Sequence, residues 1–168
     1  TYNQLYREVN RFAGILRGFG VGKGDRVLIY MPMIPEAVFA MLATVRIGAI
    51  HSVVFGGFAA ASLAARLDDA QPKVMVTADG GMRNGKPILY KPLIDESMRL
   101  AATPPSKVII VDRGLDQSMA RITGRDYDYA ALRGKHMNDE IPCTWVESSH
   151  PSYILYTSGT TGKPKGVQ

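Results

Sequence analysis

An α/β fold, with a mostly parallel sheet and helices on both faces, is predicted by three features of this chain. Short runs rich in Val, Ile and Tyr recur at Arg26–Met31, Ile50–Phe55, 73–77, Lys107–Val111 and 152–156. Most stretches between them repeat apolar residues at helical spacing, and glycines or prolines mark the joints. Strands that alternate with helices need crossover connections, and crossovers give parallel pairing. A length of 168 residues allows one domain, and 46% hydrophobic with 21% charged residues excludes global disorder.

Each element has its own signal. Leu5, Val9, Phe12, Ala13 and Leu16 follow helical spacing behind Thr1 and Gln4, a capping-box pair, and Gly18, Gly20 and Gly22 end the run. After a Lys23-Gly24-Asp25 turn comes the strand Arg26–Met31, which Pro32 and Pro35 break ahead of a helix over 36–47 closed by Gly48. Ile50–Phe55 reads as a buried strand, 59–70 as a helix, 73–77 as a third strand, 89–102 as a helix and Lys107–Val111 as a fourth strand. Over 112–151 the pattern dissolves into Gly, Asp, Pro and mixed charge, which predicts an irregular excursion with one short helix at 129–132. Strand character resumes at 152–156, and from Thr157 the chain is a Gly, Thr and Lys loop with no room for a further element.

Charge and composition narrow the partners. Lys and Arg total 20 against 15 Asp and Glu, a formal charge of +5, which suits a phosphorylated or polyanionic ligand. The basic residues are scattered from Arg7 to Lys165 without interleaved aromatics, so no nucleic-acid partner is expected. The longest apolar run, 37–43, is far shorter than the about 18 residues that span a bilayer, and no export signal is visible, so no membrane partner is expected. Cys143 is the single cysteine and cannot form an internal disulfide; with three dispersed histidines it gives no zinc spacing. Eight methionines without a disulfide suit a reducing cytoplasm. A chain that starts at Thr1 and stops at Gln168, directly after its most distinctive loop, reads as a piece of something longer.

That loop runs from Tyr156 to Gly166 and its composition suits phosphate. Gly159, Gly162 and Gly166 let backbone N–H groups approach an anion, Ser158, Thr160 and Thr161 supply hydroxyls, and Lys163 and Lys165 supply charge. It is not a Walker A loop: Thr157 stands where that motif needs glycine, and Pro164 where it needs Ser or Thr. The order Tyr156-Thr-Ser-Gly-Thr-Thr-Gly-Lys-Pro-Lys-Gly166 resembles the phosphate-binding signature of the acyl-adenylate-forming superfamily. Upstream, Gly24-Asp25-Arg26-Val27, the Met31-Pro32 break, the run from Gly48 to Gly57 and the run from Asp79 to Lys86 look like the short-chain acid–CoA ligases. Met82 to Pro87 and the closing Gly166-Val167-Gln168 are more similar to the propionate branch than to the acetate branch.

The resemblance implies a partial N-terminal AMP-binding domain over 1–168, Rossmann- or flavodoxin-like, ending just after the phosphate loop. It implies an enzyme that activates propionate or acetate with ATP and Mg²⁺ to an acyl-adenylate and passes the acyl group to coenzyme A. Thr157, Ser158, Gly159, Thr160, Thr161, Gly162 and Lys163 are then the ATP-phosphate residues. Lys165 belongs to the same signature, or is a solvated lysine that steadies the loop. By the same resemblance Arg83, Asn84, Gly85 and Lys86 meet the nucleotide end of coenzyme A, the two cations pairing its 3′-phosphate, and Phe55, Gly56 and Gly57 let the adenine approach the backbone. A tight βα turn needs such glycines regardless. Arginine is expected at both charged positions in the acetate enzymes, so Lys86 departs from the pattern and offers a point charge in place of a fork. No catalytic residue is assigned within these residues, and the piece is expected to be inactive alone and to self-associate through exposed sheet edges. The alternative is a nucleotide- or phosphate-binding module without ligase activity.

The remaining polar residues read more plainly. His51, flanked by apolar residues, is expected to be a core histidine with a satisfied hydrogen bond, and Cys143 a structural rather than nucleophilic thiol. Trp145 and Tyr153 are expected to pack, and Asp68-Asp69 to lack paired acid/base geometry.

Overall fold

In the computed structural model, which describes residues 1–157 and 165–168, the first helix, α1 (Tyr2–Gly18), starts from a complete capping box. The Gln4 amide donates to Thr1 Oγ1 at 3.3 Å while Gln4 Oε1 accepts from the Thr1 amino group at 2.9 Å. Val9, Phe12, Ala13 and Leu16 form its buried face. There follow β1 (Arg26–Met31), α2 (Pro35–Arg46), β2 (Ile50–Phe55), α3 (Ala60–Ala70) and β3 (Val74–Ala78). A hairpin of β4 (Gly80–Arg83) and β5 (Lys86–Leu89) comes next, then α4 (Lys91–Leu100) and β6 (Lys107–Val111). The chain continues through β7 (Asp126–Asp128), α5 (Tyr129–Lys135), β8 (Tyr153–Thr157) and β9 (Lys165–Val167).

Seven strands form the main sheet in the order β7-β6-β3-β1-β2-β8-β9, and only the β8–β9 pair is antiparallel. The chain steps from β1 outward to β2, then crosses back over β1 to β3, which is the doubly wound, flavodoxin-like order. Right-handed crossovers put α2 and α3 on opposite faces. Accordingly α1 packs with α2 and α5, and α3 packs with α4. β1 and β3, enclosed on both faces, are buried from Val27 to Met31 and from Val74 to Ala78.

Three stretches differ from the sequence expectation. The turn after β3 is a hairpin, because Asn84 and Gly85 both take positive φ (51° and 74°), the geometry of a tight type I′ turn. Its second strand uses Lys86–Leu89 and so delays α4 to Lys91. The excursion holds a parallel edge strand, β7, and a two-turn helix, α5, which caps on Asp128. Long-range contacts create both: Tyr129 stacks on Phe12 with ring centroids 5.2 Å apart, Tyr127 meets Phe19 at 4.7 Å, and Asp126 sits between Arg125 (2.6 Å) and Lys91 (3.3 Å). Burial alone would raise the Asp126 pKa, but its bonds to Arg125 and the Ile122 amide outweigh burial and hold it below 3.8. Finally, the chain does not end as a loop: Lys165–Val167 returns as β9 against Leu155–Thr157.

Candidate functional site

Ligands of doubly wound sheets bind beyond the carboxyl ends of the strands, where the strand order reverses. Here that place lies beyond β1, between β2 and β3. A cavity of about 400 Å³ opens there, walled by Pro32, Phe55, Gly56 and the β4–β5 hairpin, with Tyr90 in its lining and two guanidinium side chains, Arg83 and Arg113.

The two glycines after β2 have separate jobs. Gly57 takes φ 101°, a conformation that only glycine adopts without strain, and its amide donates to Tyr30 Oη at 3.0 Å. The same hydroxyl donates to the Phe58 carbonyl at 3.0 Å, so one buried tyrosine fixes the whole β2–α3 turn. Burial pushes its pKa up to about 12, which keeps it a donor at every physiological pH. Gly56 is needed for space. A methyl group there would collide with the Tyr90 hydroxyl and lie 2.9 Å from the Met31 carbonyl carbon, and one at Gly81 would meet the same hydroxyl from the hairpin side. Tyr90 is thus wedged between β2 and β4, its ring 5.0 Å from that of Tyr30.

Asp79, fully buried directly after β3, holds the opposite wall. Its Oδ2 accepts from the amides of Leu115 (2.6 Å) and Asp116 (3.2 Å), drawing the loop after β6 onto the sheet edge. That loop carries Arg113, whose guanidinium donates to the Gly80 carbonyl at 3.0 Å. Sequence reasoning passed over Arg113 because it sits in the irregular stretch, where no periodicity says which way a side chain faces.

Of the residues expected to meet a nucleotide, Phe55, Gly56 and Arg83 line this cavity. Gly57 stands beside it in the Tyr30-bonded turn. Asn84, Gly85 and Lys86 form the exposed hairpin tip. Arg83 and Lys86 are register partners, so their side chains leave the same face of the hairpin. Of the expected phosphate residues, Thr157 is the exposed last residue of β8, paired with Lys165. Ser158, Gly159, Thr160, Thr161, Gly162 and Lys163 lie outside the described residues.

The weaker candidates sort as follows. His51 is half-buried and stacks on Tyr153 at 5.9 Å, but its Nδ1 has no hydrogen-bond partner, contrary to the satisfied core histidine expected. Burial alone holds its pKa below 6.5. Trp145 does not pack: it is 91% exposed, and Tyr153 is half-exposed. Cys143 is a free, exposed thiol. Asp68 accepts from Thr103 and Asp69 from Tyr156, so the neighbouring carboxylates serve different elements. Among the described residues no three His, Cys, Asp or Glu side chains gather to hold a metal, and no helix is long and apolar enough to cross a membrane.

The comparisons with known proteins agree with one another. The family model described as AMP-binding enzyme matches residues 1–168. A propionate–CoA ligase of Escherichia coli K12 is 58% identical over 168 residues, covering 100% of this chain and 27% of that protein. An acetyl-coenzyme A synthetase of Wolinella succinogenes is 51% identical over 170 residues, covering 100% of this chain and 26% of that protein. Among solved structures, an acetoacetyl-CoA synthetase from Streptomyces lividans superposes with a TM-score of 0.86 at 34% identity, covering 99% of this chain and 25% of that one. The chain therefore spans about a quarter of the length of the relatives it matches.

Proposed function

Because this chain belongs to the AMP-binding enzyme family, we propose that it forms part of a short-chain acid–CoA ligase acting on propionate or acetate. The observation that carries the reading is that a cavity lined by two guanidinium groups and the end of β8, which leads into the Gly, Thr and Lys segment, lie at the same edge of one sheet. The guanidinium-lined cavity opens beyond β1, and the Gly, Thr and Lys loop leaves β8, with β2 between them. A two-step reaction that handles ATP first and coenzyme A second needs both. Two relatives named propionate–CoA ligase support propionate as the acid.

In the first step Thr157 to Lys163 wrap the β- and γ-phosphates of ATP, and amide, hydroxyl and ammonium donors stabilise the charge that develops on departing pyrophosphate. Mg²⁺ enters on the nucleotide as part of the substrate. In the second step the cavity takes the nucleotide end of coenzyme A. Arg83 and Lys86, on one face of the hairpin, pair its 3′-phosphate, while Phe55, Gly56 and Gly57 flank the adenine. Arg113 adds charge to the opposite wall. The protein acts in the cytoplasm, where the exposed Cys143 stays reduced. The apolar side chains Tyr153, Leu155 and Val167, all about half-exposed, favour association with other protein surface.

The test uses the full-length enzyme. Lys163→Ala should slow acid-dependent ATP–pyrophosphate exchange far more than thioester formation from supplied acyl-adenylate. Equal losses in the two half-reactions would sink the assignment.

A further inference from the structure

We propose that Asp69 and Arg66 of α3 are positioning residues for the loop between β8 and β9, acting through Tyr156. The inference rests on the reading of that loop as the ATP-phosphate site.

The need for such a device comes from the register. β8 pairs with β2 only at His51↔Tyr153 and Ser52↔Ile154. From Leu155 to Thr157 its pairing is with β9 alone, so the loop rides on a two-stranded stalk that has left the main sheet. A lone hairpin is marginal in water. Among the described residues, the side-chain anchor at the head of the stalk comes from α3. Tyr156 Oη donates to Asp69 Oδ2 at 2.6 Å. The Arg66 guanidinium lies 5.1 Å from the Tyr156 ring centroid on one side and 5.1 Å from the Phe58 ring centroid on the other. Arg66 is itself 9% exposed and donates to the Ser62 carbonyl at 2.6 Å, which fixes its head. Carboxylate and guanidinium thus grip one ring by its hydroxyl and its face.

The return leg is held by close approach. A Cβ on Gly166 would lie 3.2 Å from Asp69 Oδ2 and 3.3 Å from Tyr156 Cε1. The backbone of β9 therefore passes directly over the anchor, and both ends of the loop are referred to the same two side chains. Phe58 gives Arg66 a second contact, in the turn beside the coenzyme A cavity.

Full-length enzyme carrying Tyr156→Phe, Asp69→Ala, Asp69→Asn or both of the first two tests this, with Lys163→Ala as reference. Tyr156→Phe keeps the ring and its stacking on Arg66, so it removes the hydroxyl alone. The expected result is a rise in KM for ATP of about tenfold, the loss that follows when a reacting group is held less well. Thioester formation from supplied acyl-adenylate should stay within about twofold of wild type, as for an independent site. Asparagine at position 69 still accepts the bond and should restore most of the affinity that alanine loses. The double variant should be no worse than either single one. Unchanged KM in Tyr156→Phe and Asp69→Ala, with Lys163→Ala still defective, overturns the positioning role. Equal losses in both half-reactions also overturn it, as a general structural effect. A silent Lys163→Ala overturns the ATP reading itself.

Discussion

The two candidate sites are held in opposite ways. The cavity is built on β1 and β3, whose buried strands pair along their length, and its walls are tied by buried groups: Tyr90 between two glycines, Tyr30 across the β2–α3 turn, Asp79 on two amides. The loop after β8 stands on a stalk that shares two register pairs with β2 and is gripped at its head through one half-buried ring. One site is part of the core, and the other is attached to it. Substitutions of the buried braces of the first should therefore cost stability and binding together, whereas substitutions at the second should cost function with little change in melting.

Asp79→Ala is the largest expected effect. It leaves the Leu115 and Asp116 amides without their acceptor, and an unsatisfied buried donor costs about 1–3 kcal/mol. Thermal unfolding of the full-length protein should show a loss of about 3 kcal/mol together with weaker coenzyme A binding as the Arg113 loop is released. If melting is unchanged, the cavity wall is not braced as described. Gly56→Ala comes next, at about 1–3 kcal/mol from overpacking against Tyr90. Gly56→Ala combined with Tyr90→Phe should recover part of that loss, since the closest collision is with the hydroxyl; no recovery in a melting curve would mean that the ring carbon Cζ (2.7 Å) and the Met31 backbone (2.9 Å) are the harder obstacles.

Arg83→Ala should leave folding alone and weaken coenzyme A by about ten- to a hundredfold, the value of a charge-assisted hydrogen bond. Lys86→Ala should cost less, because an ammonium gives up less directional bonding than a guanidinium. Calorimetry with 3′-dephospho-coenzyme A sharpens the point: both variants should bind it much as wild type does. Equal losses for intact and dephosphorylated cofactor would move these side chains to a solvated turn.

The smallest effect concerns pH and belongs to neither site. The Arg133 hydrogen bond, opposed by some burial and helped by the charges of Arg133 and Arg11, holds the Glu8 pKa below 4.5. A depressed carboxylate contributes stability above its unfolded pKa, and that contribution is lost as pH falls through the lowered folded value. Glu8→Gln should lower stability at neutrality, where the carboxylate's contribution is complete, and change little at pH values below the lowered folded pKa, so the stability profile flattens below about pH 4.5. A profile that stays equally steep would assign the acid limb to other carboxylates.

What the sequence made legible follows the same division. Arg26–Met31 and Lys107–Val111 are readable to the residue because a doubly covered strand is apolar nearly throughout and bounded by turn residues, and Ile50–Phe55, buried only at alternate residues, is readable because its Val and Ile lie between Gly48 and Gly56. The cavity was half legible: the resemblance singled out Phe55, Gly56 and Arg83, whereas Tyr90 and Arg113 matter only once three strand ends are brought together. The β4–β5 hairpin hid behind flanks of Gly-Gly-Met-Arg and Lys-Pro-Ile-Leu, which show no alternation. Asp69 and Tyr156 are 87 residues apart, and no periodicity links an aspartate near a helix end to a tyrosine before a loop.

The way the excursion is fastened has a consequence for the order of folding. Asn10, buried at 1% exposure, receives the Ile141 amide at 2.8 Å, and Glu8 receives Arg133, so α1 finds these partners 131 and 125 residues downstream. During synthesis α1 can dock on α2 early, but its polar flank stays partly unmatched until residue 141 has emerged. Closing so long a loop adds only slowly to the entropy but delays the contact. α1 is thus completed late, and hydrogen exchange during refolding should show Ile141 and the α1 flank gaining protection after the amides of β1 and β3.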